Sequence, residues 1–577
     1  MDGSQAALDR AGHELHRYVA GLDEGLGGRY LNAEQRGVGQ VGGKENFSID
    51  RAALQMTGFT EVTNPDGTVS LQAAPGWSAA AGLPYTVTYA FRASAPPVMP
   101  DDAAGFERFN AAQMAQAELA MQAWADAGRI TFVRVGTGTA GEEAYSDAAS
   151  ILFGNYTSGV DGASAFASYP GNPAHSSSSG DVWINSSIGY NAAASAANRG
   201  GLVLVHEIGH AIGMAHPGDY DAGDEGGRQI TYVADAEYYQ DTVQYTVMSY
   251  FGEGNTGASF GGRYPSAPML DDIAAIQVEY GANMTTRTGD TVYGFNSNAA
   301  RPWFEATSNF TKVIFAVWDA GGTDTFDFSG YSNSQVIDLR AGFFSDVGGL
   351  VGNVAIAQGV TIENARGGLG SDRITGNASD NAIHGGSGND TLDAGAGGRD
   401  YLRGDDGWDS LSGGAEFDDL NGNRGNDTVA GGADGDWVVG GQDNDLLMGD
   451  DGDDIVYGNL GDDVLWGGPG ADLMRGGQGG DHLRGEAGGD WLSGDRGDDT
   501  LAGGAGADVF HGSQDAGVDR VLDFSFAEGD RVQLDPGTTY ALSQAGADTV
   551  IDMGGGHQMV LVGVQLSALG SGWIFGA

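Results

Sequence analysis

The sequence predicts two architectures in one chain: an α+β domain, followed by an all-β domain wound as a parallel roll. Three observations predict it. Helix-length and strand-length apolar patterns mix between about residues 50 and 280. From Gly367 onward, glycine and aspartate return every nine residues. Within the first of these regions the string "HEIGHAIGMAH", His206 to His216, gathers three histidines and a glutamate within eleven residues.

Residues 1–45 carry no clear strand pattern and read as an N-terminal extension or pro-segment. In 46–280, "PYTVTYAF" alternates Tyr85, Val87, Tyr89 and Phe91 with smaller residues, the pattern of a half-buried strand. An Ala-rich helix follows, with Ala117, Met121 and Trp124 on one face and Gly128 at its end. "RITFVRV" and "SILFGNY" predict further strands. Residues 281–366 change to short β segments with Gly and Asp turns, a β-rich junction. Residues 367–511 hold the strict repeat. In 512–577, alternating strands such as "DRVLDFSF" and "QMVLVGV" predict a β cap.

The repeat comprises sixteen nonapeptides, beginning "GGLGSDRIT" and ending "GGAGADVFH", with Ala394 inserted once. The first position is always Gly and the eighth always apolar; the sixth is Asp except at Asn381. This matches a known calcium-binding β-helix repeat. Six residues must turn tightly and offer carbonyls and a carboxylate to a hard cation, and the remaining three suffice only for a short strand. A disordered Gly/Asp linker would not need an apolar eighth residue in every unit. Two units per turn give about eight turns, some 35–40 Å of roll at a strand spacing of about 4.8 Å. The carboxylates assigned to calcium are Asp372, Asp390, Asp400, Asp409, Asp418, Asp427, Asp436, Asp445, Asp454, Asp463, Asp472, Asp481, Asp490, Asp499 and Asp508. Weaker or absent sites are expected around Asn381 and around Ser379, Glu416, Asp434 and Asp443, which replace the fourth-position glycine.

The net charge of −51 argues against a nucleic-acid partner, since phosphate neutralisation needs clustered Lys and Arg. It points to bound cations, and residues 367–511 alone carry thirty acidic against seven basic residues. No cysteine is present, which excludes disulfides and thiolate metal sites. The segment "MDGSQAALDRAGHELHRYVAG" has no apolar core of signal-peptide length, and no stretch approaches the roughly 18 apolar residues of a membrane span. A cytosolic protein, or export by a route that does not read an N-terminal signal, is expected.

An α-helix advances 3.6 residues per turn, so His206 and His210 project from one face, spaced to reach one tetrahedral metal. Glu207 leans toward the same space and can accept a proton from a water there. Gly213 permits a positive φ that breaks the helix, Pro217 prevents it from resuming, and His216 swings back as a third nitrogen. Three neutral imidazoles leave one coordination position open, the arrangement of a catalytic zinc. With "YTVMSYF" downstream, carrying Met248 and Tyr250, the string matches the signature of the metzincin clan.

From about residue 50 to the C-terminus the chain resembles the serralysin-type secreted zinc metalloproteases. The resemblance includes "HPGDY", "YGANMTTRTGDTVYGF" and "VWDAGGTDTFDFSGY". It implies a metzincin domain followed by an RTX β-roll, one catalytic Zn²⁺ and several structural Ca²⁺. It further implies that Met248 floors the zinc site, and that Tyr250 can bind zinc at rest and hydrogen-bond the tetrahedral intermediate during turnover. "SAFASYP", with Ala165, Phe166 and Ala167, resembles the edge strand that pairs with extended substrate. Calcium at the domain junction is implied for Arg287, Gly289 and Thr291, for Asp319, Gly321, Gly322 and Asp324, and for Thr361 and Glu363. The family also implies export by a type I system reading an uncleaved C-terminal signal, although the tail "SGWIFGA" lacks the adjacent acidic residue usual there. The resulting expectation is a monomeric extracellular or surface-associated metalloendopeptidase acting on proteins and peptides. The rival is a calcium-binding RTX surface or matrix protein with a vestigial protease domain.

Overall fold

The computed structural model describes residues 30–576, apart from 58, 64–68, 73–75, 79, 101–102, 160–162, 171–179, 197 and 221–228. Both predicted architectures are present. The first is built on a five-stranded sheet of β1 (Tyr85–Phe91), β2 (Ile130–Arg134), β3 (Ile151–Tyr156), β4 (Ala165–Ala167) and β5 (Val182–Asn185), in the order β2-β1-β3-β5-β4. Four strands run parallel, and β4 pairs antiparallel with β5 at the edge. The expected Ala-rich helix is α2 (Ala111–Ala127), following α1 (Ile49–Thr57). Asn110 accepts the Gln113 amide while the Gln113 side chain accepts the Asn110 amide, a reciprocal cap that fixes where α2 starts. Its face Met114, Ala117, Met121 and Trp124 is buried, and Trp124 Nε1 donates to Val205 O of α3 (Arg199–Ala211) at 3.0 Å. Helix α4 (Leu270–Tyr280) packs against α1.

Part of the predicted extension is integral to this domain. Arg36 forms a buried bidentate ion pair with Asp271 of α4 at 2.6 and 2.9 Å. Leu31 exchanges backbone hydrogen bonds with the Tyr245 hydroxyl, and Tyr30 donates to Asp346 at 2.9 Å, so residues 30–36 touch both architectures. Residues 1–29 lie outside the described part.

The second architecture is a solenoid of two thirteen-stranded sheets. Partners lie eighteen residues apart through most of the repeat, as in Leu420, Val438, Val456 and Met474, so two nonapeptides make one turn. The repeats supply eight strands to each sheet, as their number predicts. The sheets continue beyond them in both directions. Val292–Gly294, Thr325–Asp327 and Asn364–Arg366 precede the repeat in one sheet, Val336–Asp338 in the other, and an antiparallel meander of Ala541–Ala545, Asp548–Gly554 and His557–Leu561 ends the second sheet, with Ala541–Ala545 outermost. Every eighth-position side chain is buried, one per strand, which makes a long and thin core. Each contributes about 1.5–3 kcal/mol by burial. Among the described residues no helix is long and apolar enough to cross a membrane.

Candidate metal centres

Helix α3 carries His206, Glu207 and His210, all buried. It ends at Ile212, and Gly213 turns the chain with φ +106°, the left-handed conformation its sequence position calls for. The turn returns His216 to the other two. The three Nε2 atoms lie 3.1, 3.0 and 3.3 Å apart. Each Nδ1 faces a backbone carbonyl: His206 on Val247 O at 2.8 Å, His210 on Met214 O at 2.7 Å, and His216 on Tyr220 O at 2.9 Å.

This pattern fixes the tautomers. A carbonyl oxygen only accepts, so each Nδ1 carries the proton and each Nε2 presents a lone pair. Three lone pairs therefore converge with no hydrogen to share among them. A cation resolves that repulsion, and a tetrahedral ion with Zn–N bonds of about 2.0–2.1 Å sets its nitrogens roughly 3.3 Å apart. Burial also lowers the pKa of His206 and of His216 to about 3, which keeps both rings neutral and able to ligate. The residues fit zinc.

Met248 is fully buried against the helix. A Cβ at Gly209 would stand 2.5 Å from Met248 Sδ, so the methionine occupies the space a side chain there would fill, next in sequence to His210. The Tyr250 ring lies at the rim, its centroid 4.5 Å from that of His216 and 5.7 Å from that of His206. Edge strand β4 packs against α3, with Ala165 and Ala167 turned to the main core and Phe166 stacked on Trp183 on the other side. Glu207 contributes to raising the Tyr156 phenol, pushed up to about 12 chiefly by burial, so the two sit in one neighbourhood.

In the roll, the sixth-position aspartates form two ladders, one along each edge. From Asp372 to Asp490 the amide of each donates to Oδ1 of the aspartate one turn on, as in Asp409 to Asp427, Asp427 to Asp445 and Asp445 to Asp463, at 2.8–2.9 Å. The second oxygen, Oδ2, is buried with no hydrogen-bond partner in Asp390, Asp400, Asp409, Asp418, Asp427, Asp436, Asp445, Asp454, Asp463, Asp472, Asp481, Asp490, Asp499 and Asp508. Fourteen orphaned carboxylate oxygens in register fit a row of cation sites, and an oxygen-only donor set suits calcium. Asp372 differs, because its two oxygens accept from the Gln335 and Gly368 amides. Asn381 closes its own unit: its Nδ2 donates to Glu363 O at 2.8 Å and its Oδ1 accepts the Asn377 amide. At the fourth position Glu416, Asp434 and Asp443 hold φ of +72°, +75° and +73°, so the turn persists without glycine.

At the junction, Asp324 Oδ1 accepts the Thr291 amide, its own amide donates to Glu363 Oε2, and its Oδ2 is buried and unpartnered. Asp319 accepts from Gly321 N and the Tyr293 hydroxyl, Thr291 Oγ1 donates to Gly289 O, and Gly322 packs on Gly289. Thr361 stands two residues before Glu363 on the same segment. Burial, then neighbouring carboxylates, push Asp324 up to about 7 and raise Glu363. The Arg287 side chain pairs with Asp126 of α2 at 3.0 Å and also lies 4.0 Å from Asp319, leaving its backbone carbonyl as the group expected to face calcium.

Residues 87–222 match the family described as Matrixin, residues 282–412 the one described as Peptidase M10 serralysin C terminal, and 412–447, 448–483 and 484–518 the RTX calcium-binding nonapeptide repeat. The chain is 46% identical over 364 residues to Metalloprotease AprA of Pseudomonas entomophila (strain L48), covering 61% of this chain and 69% of that protein. It is 46% identical over 344 residues to Serralysin C of Dickeya chrysanthemi, covering 59% and 67% respectively.

The chain belongs to the serralysin family.

It is accordingly a zinc metalloendopeptidase that also carries structural calcium, and the reading as a binding protein with a vestigial protease domain is not favoured. Sequence reasoning missed one support of this serralysin site. Asp272, fully buried in the first turn of α4, accepts from Thr246 Oγ1 at 2.6 Å, Val247 N at 2.7 Å and Met269 N at 2.8 Å. Val247 in turn holds His206 Nδ1 through its carbonyl. A chain therefore runs from Asp272 through the Val247 peptide to a histidine of the triad. Asp272→Asn can keep its oxygen on the Val247 and Met269 N–H groups only by turning its NH₂ to the Thr246 hydroxyl, which must then accept instead of donate; the lost charge-assisted bonds should cost about 1–3 kcal/mol in denaturant unfolding. It should also weaken zinc binding about 10–100-fold in competition with a chelator.

Proposed function

We propose that His206, His210 and His216 hold the zinc, that Glu207 is the general base and acid, and that Tyr250 stabilises the oxyanion in hydrolysis of extended polypeptides. The observation that carries this reading is the convergence of three Nε2 lone pairs whose Nδ1 protons are all committed to backbone carbonyls. Zinc held by the three imidazoles would supply Lewis acidity, lowering the pKa of water in the site toward about 7 and polarising a carbonyl. Glu207, next to His206 on a rigid helix, takes the proton released as water attacks the peptide carbon and returns it to the departing amine. The Tyr250 hydroxyl, on a ring beside His216, donates to the carbonyl oxygen as negative charge builds. The free side of β4 offers Ala165, Phe166 and Ala167 backbone groups to an antiparallel substrate strand. Met248 and Gly213 fix the floor and the turn.

Tyr250→Phe tests the phenol. Removing one oxyanion donor is expected to lower kcat about 10²-fold with KM within about twofold, read on a fluorogenic peptide. An unchanged kcat would remove Tyr250 from the chemistry.

The sixth-position aspartates from Asp372 to Asp508, fourteen of them with orphaned oxygens, form the roll's calcium shell, and Arg287, Gly289, Thr291, Asp319, Gly321, Gly322, Asp324, Thr361 and Glu363 form another at the junction. The chain works as 46–280 for catalysis, 281–366 as junction, 367–511 as roll and 512–577 as cap and export signal. Any pro-segment removed from 1–45 ends before Arg36, because loss of Arg36 would leave Asp271 buried without its counter-ion. Passage through a type I exporter, followed by action as an extracellular monomer, completes the reading; the absence of cysteine suits a chain that folds after export.

A further inference from the structure

Strand β4 ends two residues before Tyr169, and the backbone on either side of that tyrosine is tightly fixed. Ser168 N donates to Asp181 O, and its carbonyl accepts Gly180 N, both at 3.0 Å, so the ladder with the neighbouring strand closes at Ser168. Asp181 is itself buried, paired with Arg92 and accepting the Leu152 amide. Pro170 is buried and restricts the backbone of the residue before it to extended conformations. The backbone at Tyr169 is thus fixed by both flanks, and with it the direction of the Cα–Cβ bond.

That direction is toward the metal centre. Side chains alternate along an extended strand, so residues 165, 167 and 169 share one side. Ala165 and Ala167 are small and turned to the core beside α3. Tyr169 ends the row with an aromatic ring, partly exposed, whose centroid lies 5.4 Å from that of His210 at an interplanar angle of 74°. Tyr250 occupies the flank of His216 and His206. Two phenols therefore border the triad from different histidines, and the two alanines precede one of them on the same side of the strand.

We infer that Tyr169 is a specificity-determining residue, whose ring forms the wall of the subsite beside His210 and selects a bulky apolar side chain next to the cut bond. This rests on the reading of the triad as the hydrolytic centre. A substrate strand lying along β4 must pass its scissile carbonyl over the three nitrogens. A residue adjacent to that carbonyl then comes within side-chain reach of a ring this close to His210. An aromatic face rewards apolar area, and a well-formed hydrophobic subsite discriminates by about 10–200-fold.

The test uses the full zinc- and calcium-loaded chain, with Tyr169→Ala, Tyr169→Leu and Tyr169→Phe. Peptides vary at the two residues flanking the cut bond. Tyr169→Ala is expected to lose about tenfold or more in kcat/KM on peptides with Phe, Tyr or Leu at one flanking position, and less than about twofold with Ala there. Tyr169→Phe should keep the wild-type profile, and Tyr169→Leu should fall between the two. Zinc content, measured by elemental analysis, and the pH profile should not move. Equal losses on all peptides would overturn the inference, and so would zinc loss in both Tyr169→Ala and Tyr169→Leu, since either result makes the ring a support for His210. If Glu207→Gln were fully active, the hydrolytic reading would fall; a flat selectivity change with Glu207 still essential sinks only the role of Tyr169.

Discussion

Replacing Glu207 with Gln is expected to lower kcat/KM on casein-derived peptides by about 10²–10⁴-fold while the protein keeps its zinc. The magnitude comes from the group that the substitution removes. The glutamine is nearly isosteric and keeps the helix, and none of the three Nδ1 contacts to Val247, Met214 and Tyr220 involves position 207. The nitrogen cage should therefore survive. An amide cannot accept a proton from water near neutral pH, so both the attack and the departure of the amine lose their proton carrier. Because the loss falls on the chemical step, kcat should carry it and KM should change little. Elemental analysis showing one zinc per chain beside the kinetic loss would meet the expectation. Turnover within tenfold of wild type would remove Glu207 from the mechanism, and zinc loss would make the experiment a measure of metal binding instead.

The ease with which this site is read from the sequence has a local cause. His206, His210 and His216 lie within eleven residues, and helix periodicity with one glycine-based turn is enough to bring them together. Met248 and Tyr250 are found only because a known pattern links them to that string. Asp272 leaves no such trace. Its role is to accept from Thr246, Val247 and Met269, and two of those donors are backbone amides, which every sequence possesses. Arg36 is hidden differently: its partner Asp271 is 235 residues away, and an arginine in a region without periodicity gives no sign of being buried. The roll obeys the same rule. Its eight strands per sheet are countable from the nonapeptide, because strand, turn and carboxylate are all local. The rungs at Val292–Gly294, Thr325–Asp327 and Val336–Asp338 carry ordinary alternation, and only their pairing shows that they belong to the same two sheets.

Removing calcium is expected to unfold the repeat region cooperatively at pH 8, and restoring it in the 10⁻⁴–10⁻³ M range of extracellular modules is expected to refold it. Without the cation each turn gains about 1.5–3 kcal/mol from each eighth-position side chain and loses about 1–3 kcal/mol for each buried carboxylate oxygen left unpaired. Ordering the backbone then costs a further 1–2 kcal/mol or so per residue, so the metal-free roll does not hold. Far-UV circular dichroism through a titration with a calcium-selective chelator, zinc being kept in excess, reads this directly; a β signal that ignores the chelator would mean that the ladder stands without metal. Acid gives an independent check. Burial, and after it neighbouring carboxylates, pushes Asp418 up to about 6 and both Asp436 and Asp445 up to about 8. These folded values exceed the unfolded one of about 3.9, so the folded roll binds more protons than the unfolded chain. The stability contributed by those protons is fully present below about pH 4 and is lost as pH rises through 6 to 8. Calcium-free protein at pH 5 should accordingly keep more β signal than at pH 8, and the opposite order would mean that the orphaned oxygens are not what makes the roll depend on calcium.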